Sequence, residues 1–249
     1  LPAAPLPAAP LPPARLPAAR LPAARRRRQL LDVAVDVFAE RGFHGTSMDE
    51  VAEAAGVTKP VLYQHFDSKR DLYLALLDDV GSHLVSAVTA AVSGAAGPRQ
   101  RVEAGFAAYF EFVTQKTNAF RLLFGGGARR DEEFNDAVRR IEDVMAAAVA
   151  TLIETDISGD HRQLLGYGIV GLAEVTSRHW ASSRHADELN GAERSAEATR
   201  LARRISELAW AGLRGVHRDP PPEPPPPAQA DPPRRPVPPL DQPPPLGSG

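Results

Sequence analysis

Apolar residues recur along this chain at helical spacing. Across residues 26–41, Leu31, Ala34, Val35 and Phe38 fall at i, i+3, i+4 and i+7, which is one apolar stripe on an α-helix. Gly42 follows as a stop. Ser47-Met-Asp-Glu50 has the spacing of a capping box: the Ser47 hydroxyl accepts from the amide three residues on, and Glu50 reaches back. The second helix carries Met48, Val51, Ala52 and Ala55 on one face and closes at Gly56. Thr58 opens a third, short helix, with Pro60 in a first turn whose amides have no intrahelical partner. Leu62 and Phe66 are its inward pair, so Lys59, Pro60, Val61, Tyr63, Gln64 and His65 face outward or lie at the edge. Ser68 caps a longer helix, with Asp71 in its first turn and Leu72, Tyr73, Leu76 and Val80 continuing.

Beyond Gly97-Pro98 the spacing predicts helices near 98–117, 118–124, 131–155, 160–183 and 192–216. Breaks fall at Gly125-Gly126-Gly127, Ser158-Gly159 and Asn190-Gly191. No strand pattern is visible. The expectation is an all-α protein: a three-helix unit with a helix-turn-helix over 25–72, then a helical bundle over 73–218. Both ends differ. Residues 1–24 repeat the pentad LPAAP/LPAAR, and residues 219–249 are rich in proline. That density removes backbone donors and favours extended, solvated chain, so both tails are expected to be disordered.

Composition narrows the chemistry. The 249 residues contain no cysteine, which excludes disulfides, thiol nucleophiles and Cys-ligated zinc. No uninterrupted apolar run reaches membrane-spanning length, and the N-terminal repeat lacks the apolar core of a secretion signal. No membrane partner and a cytoplasmic location are the expectations. Formal net charge is −2, so basic residues matter through placement. Arg25–Arg28 form a block, and two of the three lysines, Lys59 and Lys69, bracket the short third helix. An exposed Tyr, Gln and His on such a helix point to a partner outside the chain, and a duplex groove accepts a helix of this size.

Residues 30–77, LLDVAVDVFAERGFHGTSMDEVAEAAGVTKPVLYQHFDSKRDLYLALL, resemble the TetR/AcrR family of bacterial regulators. The resemblance rests on F-x-x-x-G-F, the T-S before the second helix, A-x-x-A-G-V-T-K and L-Y-x-H-F-x-S-K. It implies a homodimer that binds a palindromic double-stranded DNA operator and answers to a small effector. KPVLYQHF, FRLLF, the Gly-rich helix with Trp180, and AWAGL at 209–213 are further similar to the FasR-type regulators of actinobacteria. Those control fatty-acid synthesis and respond to long-chain acyl-CoA. That likeness implies a long-chain acyl-CoA effector and no cofactor.

The resemblance gives Tyr63, His65, Lys69 and Thr46 the role of holding the DNA backbone, with burial of Tyr63 and a second cap at Thr46 as the alternatives. Thr58 would cap the third helix and offer hydroxyl and amide to a phosphate, or cap and nothing more. Lys59, Pro60, Val61 and Gln64 are the candidates for base edges, Gln64 by bidentate pairing with adenine; the alternative is sugar contact alone. Arg25–Arg28 would enter an adjacent minor groove or remain a solvated charge run. In the bundle, Phe106, Tyr109, Phe110, Phe120, Phe124 and Phe134 beside small residues would line an apolar effector cavity, although core packing accounts for any one of them. Arg121, Arg129 or Arg130 would meet CoA phosphates, or solvate the surface. The last two helices, with Leu172, Trp180, Leu201, Ile205, Leu208 and Trp210, would dimerise or be buried within one subunit.

Gly166-Tyr-Gly168-Ile-Val-Gly171 matches a dinucleotide fingerprint, with Asp187 about twenty residues on, but its flanks read as one helix. Close helix packing is the better explanation. No P-loop, metalloprotease motif or nucleophile elbow occurs, so an enzyme is not expected. The rival readings are an architectural DNA-binding protein without an effector, an enzyme housed in the bundle, and an interaction protein acting through its proline-rich tails.

Overall fold

A computed structural model describes residues 22–125, 131–183, 186 and 188–216. The pentad repeat up to Leu21, the proline-rich tail, Arg129, Arg130 and Asp187 lie outside them. Among the described residues the chain is helical, with no strand. The elements are α1 Ala23–Gly45, α2 Met48–Ala54, α3 Lys59–Tyr63, α4 Lys69–Ser93, α5 Pro98–Gln115, α6 Thr117–Phe124, α7 Glu132–Thr151, α8 Gly159–Ala181 and α9 Gly191–Arg214.

The predicted stops and caps have physical counterparts. Gly42 sits at φ 71° and interrupts α1, a conformation only glycine adopts cheaply. Ser47 and Glu50 form the reciprocal capping box. Ser68 accepts from the Asp71 amide, and Ser158 from the His161 amide. Asn190 forms a second capping box with Glu193. Thr58 departs from expectation: it precedes α3 in extended conformation, but its side chain makes no capping bond. The turn is held by backbone instead, with the Val61 and Leu62 amides donating to the Thr58 carbonyl. α7 stops at Thr151, short of residue 155. There the Thr151 hydroxyl donates to the Ala148 carbonyl, and the chain turns through Leu152 and Ile153.

α1, α2 and α3 close over Leu30, Leu31, Ala34, Phe38, Val51, Leu62 and Phe66, all nearly or fully buried. α4 has no break near residue 72. One helix of 25 residues belongs both to this three-helix unit and to the bundle. It is long and apolar enough, by length and composition, to cross a membrane. Asp78 and Asp79 interrupt it, and Leu72, Leu76, Leu77, Val80 and Leu84 are buried inside the protein. α7 runs alongside it in the same direction. Arg70 meets Asp131 and Glu133 at one end, and a Cβ on Gly81 would fall 2.2 Å from Ile141 in the middle. Glycine here lets the two helices close together.

Gly166, Gly168 and Gly171 lie inside α8, without the strand a dinucleotide site needs. A Cβ at Gly166 would fall 2.3 Å from the Ala146 carbonyl oxygen, so this glycine permits close α7–α8 contact. α9 packs along α5 and touches α8 only lightly. Of the residues proposed for dimerisation, Trp180 is buried within the subunit. Leu172, Leu201, Ile205 and Trp210 are half-buried. Leu208, the sixth of them, is exposed (59%), and Leu164 (69%), Tyr167 and Val175 (55%), which were not among them, are exposed as well.

Candidate nucleic-acid interface and apolar cavity

The third helix has only five residues, so its position depends on Leu62 and Phe66 being locked into the core. With that pair inside, Thr58, Lys59, Pro60, Tyr63 and Gln64 are exposed, and Val61 and His65 are half-buried. Tyr63 is 42% exposed, so burial against α1 does not account for it. These residues form one outward surface. Lys59 lies within it but is paired: its ammonium contacts Asp49 of α2 at 2.9 Å, which raises the Lys59 pKa through that hydrogen bond. Both partners are well exposed, so water and phosphate can compete for the ammonium.

Two predicted backbone contacts take different places. Thr46 is only 2% exposed, and its hydroxyl donates to the Gly42 carbonyl at 2.9 Å. Its side chain closes the α1–α2 corner and does not reach outward. Lys69 is half-buried; its ammonium donates to the Phe43 and Thr46 carbonyls, each at 2.8 Å, and lies 4.5 Å from the Phe43 ring centroid. Two of its three N–H groups therefore pin the corner that carries the helix-turn-helix. Beside it, Arg41 pairs with Glu50, whose carboxyl lies below its usual range chiefly because it accepts from the Ser47 amide.

The arginine block is not an extended arm. Arg25–Arg28 lie within α1. Arg28 contacts Asp79 at 2.7 Å and Asp32 at 2.9 Å, and Arg27 lies 5.0 Å from the Phe66 ring centroid. The first turn of α1 holds no acidic residue. Cations at a helix N-terminus oppose the helix dipole, so an anion placed there would be favoured. Arg27 thereby joins that positive end to Phe66, three residues past the end of α3. This contact was not legible in the sequence, because it joins residues 39 positions apart.

Arg70 was another such residue. It belongs to α4, yet its guanidinium forks onto Asp131 at 2.7 and 3.0 Å and onto Glu133 at 2.6 Å, and it stacks 4.7 Å from the Phe134 ring. These contacts hold the Asp131 carboxyl below its usual range, chiefly through the Arg70 hydrogen bond. Phe134 itself packs against Phe43 and Tyr73, with centroids 4.8 and 4.6 Å away. It is therefore a joint between the three-helix unit and the bundle, not a cavity wall. Its ring faces this side because α7 begins here, and sequence spacing alone could not place that start against α1.

An apolar cavity of about 300 Å³ lies at the opposite ends of α4 and α7, closed by α5 and α8. Of the six predicted aromatic residues, Phe106 and Tyr109 line it. Phe110, Phe120 and Phe124 are fully buried core, with Phe120 and Phe124 packed together at 5.0 Å. Most of the remaining wall is aliphatic, including Val85, Val88, Val102, Met145, Val149 and Ile169, with the hydroxyl residues Thr89, Ser93 and Thr151 among it. Arg101 is the charged lining residue and contacts Glu154 at 2.8 Å. Arg121 lies elsewhere and donates to the Ala181 carbonyl at 2.7 Å, which covers the C-terminal end of α8. Among the described residues no cluster of His, Asp or Glu is arranged to hold a metal.

Residues 30–76 match the family described as bacterial regulatory proteins, tetR family, and residues 98–212 match the tetracyclin repressor-like C-terminal domain. The chain is 34% identical over 193 residues to the HTH-type transcriptional activator FasR of Mycolicibacterium smegmatis, covering 77% of this chain and 84% of that one. A TetR-like transcriptional regulator from Rhodococcus sp. RHA1 superposes with a TM-score of 0.63 at 30% identity, covering 79% of this chain and 100% of the other. The regulator FadR of Bacillus subtilis, solved in complex with stearoyl-CoA, shares the fold at 17% identity and a TM-score of 0.62, covering 76% and 99%.

Proposed function

Because this chain belongs to the TetR family of bacterial transcriptional regulators, we propose that it binds a palindromic operator as a homodimer and is controlled by an acyl effector in the apolar cavity. One observation carries the reading: α4 and α7 each reach from the α1–α3 unit to the cavity. From Arg70 to Val88 is about 27 Å of continuous helix. A ligand wedged between the far ends changes how the near ends hold α3. It acts only through a difference in affinity between DNA-competent and DNA-incompetent arrangements.

At the DNA, Tyr63, His65 and the Thr58 hydroxyl take phosphates, and Arg27 adds charge at the edge. Gln64, Pro60 and Val61 meet base edges, where a good bidentate pair discriminates by about 1–3 kcal/mol. A twofold dimer presents two such helices to two half-sites. The exposed Leu164, Val175 and Leu208 on α8 and α9 supply the apolar face for it. The Bacillus subtilis fold neighbour, solved in complex with stearoyl-CoA, supports fatty acyl-CoA as the ligand class.

The test is selection of tight-binding duplexes from a random pool at fixed salt, with and without stearoyl-CoA. Salt is held because phosphate contacts make affinity depend on it. A palindrome whose affinity shifts with stearoyl-CoA is expected. A palindrome indifferent to it removes the acyl effector, and no enriched sequence favours an architectural role.

A further inference from the structure

Thr89, Ser93, Thr151 and Arg101 bring polar groups to the cavity wall, but one lining residue, Tyr109, carries a buried polar atom that nothing in the chain satisfies. Tyr109 on α5 is 2% exposed, and its hydroxyl has no hydrogen-bond partner. Among the described residues, the buried side-chain groups of Ser177 and Trp180 are also unpartnered, but neither residue lines the cavity. A buried hydroxyl without a partner is unfavourable, and such groups are rare. The Tyr109 ring is held in place, edge-on to Phe110 and Phe120 at 5.9 and 6.5 Å. Its position is set by packing, so the hydroxyl is not retained for want of another place to lie.

We propose that Tyr109 is the polar anchor of the cavity and donates a hydrogen bond to a neutral oxygen, a carbonyl or hydroxyl, carried on an otherwise apolar ligand. This deepens the effector reading and rests on it only in taking the cavity as the ligand site. Two features make the hydroxyl a donor to a neutral acceptor. Burial pushes its pKa well above the usual phenol value, so the proton stays on. Glu174 and Glu142 push it the same way, and Arg178 only partly opposes them. A carboxylate placed there would meet that negative field. A thioester carbonyl or a chain hydroxyl meets none of this penalty, and both present the same acceptor chemistry.

The experiment uses 2-decanone and n-decane as matched probes. Their ten-carbon skeletons suit a cavity of about 300 Å³, which holds about ten groups of water size. Binding to the full chain and to Tyr109→Phe is read by ligand-induced change in Tm and by calorimetry. Wild type is expected to bind the ketone more tightly than the alkane by about 5- to 150-fold, the range of one buried hydrogen bond of about 1–3 kcal/mol. Tyr109→Phe loses that preference and keeps its affinity for decane. Its Tm without ligand stays level or rises, because no bond is lost. Equal binding of the two probes, no binding of the ketone, or a preference that survives in Tyr109→Phe overturns the proposal. Stearoyl-CoA and its thioether analogue S-octadecyl-CoA, which lacks the carbonyl, form the second arm. Wild-type preference for stearoyl-CoA, lost in Tyr109→Phe, places the thioester carbonyl at the hydroxyl. If neither CoA compound binds while the ketone preference holds, the acyl-CoA reading fails and the Tyr109 proposal stands.

Discussion

Replacing Lys69 by alanine separates a residue that holds the interface together from one that only touches DNA. The change removes two charge-assisted hydrogen bonds, to the Phe43 and Thr46 carbonyls at 2.8 Å each. Bonds of this kind contribute about 1.5–3 kcal/mol apiece. It also removes an ammonium lying 4.5 Å from the Phe43 ring, worth about 0.5–1 kcal/mol near a surface. Against this, the corner is only half-buried, so water reaches the released carbonyls, and the lysine regains rotamer freedom. A net loss of about 2–4 kcal/mol is expected. At about 2–4 °C per kcal/mol for a folded region of this size, Tm falls by about 4–16 °C. Thermal melts by circular dichroism read this, alongside duplex binding by fluorescence anisotropy at fixed salt. Tyr63→Ala is the contrast: its side chain is 42% exposed, so Tm holds while affinity for all duplexes drops together. If Lys69→Ala melts with wild type yet binds DNA weakly, the lysine is a phosphate contact alone and the pinning argument fails.

Gln64→Ala is expected to change which bases are preferred, with about 1–3 kcal/mol lost at one position of the half-site; equal losses across every base substitution would remove its readout role. Gly166→Ala places a Cβ 2.3 Å from the Ala146 carbonyl and forces α7 and α8 apart, which costs about 1–3 kcal/mol against a gain in helix propensity of about 1 kcal/mol. Its Tm should fall, and a rise would show that the two helices tolerate separation. The double variant Leu164→Glu with Val175→Glu alters two side chains exposed in the single chain, so the fold should keep its Tm while sedimentation reports a shift from dimer to monomer. An unchanged dimer would move the interface elsewhere.

Most of the local structure was legible because it is written in neighbouring residues. Ser47 and Glu50 cap each other across three positions, Gly42 alone suits φ 71°, and Leu62 with Phe66 dictates which side of α3 faces out. Each depends on contacts within a turn or two of helix. What was not legible was the partner of a side chain with a choice of distant contacts. Thr46 and Lys69 have side chains suited to phosphate, and the fold gives both to backbone carbonyls of the α1–α2 corner. Phe134 has the composition of a cavity wall and becomes a joint against Phe43 and Tyr73.

The sequence by itself determined the helices, most of their caps though not the one expected at Thr58, and the outward face of a short helix bearing Tyr63, Gln64 and His65, because helical period and capping chemistry are local. Tertiary structure alone decided what each charge and ring does. Arg70 could have been a surface cation, but α7 begins beside it and turns it into a tie to Asp131 and Glu133. Six aromatic residues were equivalent along the chain, and only the crossing of α4, α5, α7 and α8 selected Phe106 and Tyr109 for the cavity. The reason is geometric: a helical residue's direction follows from its position in the turn, whereas its neighbour across the core depends on how whole helices are set against each other.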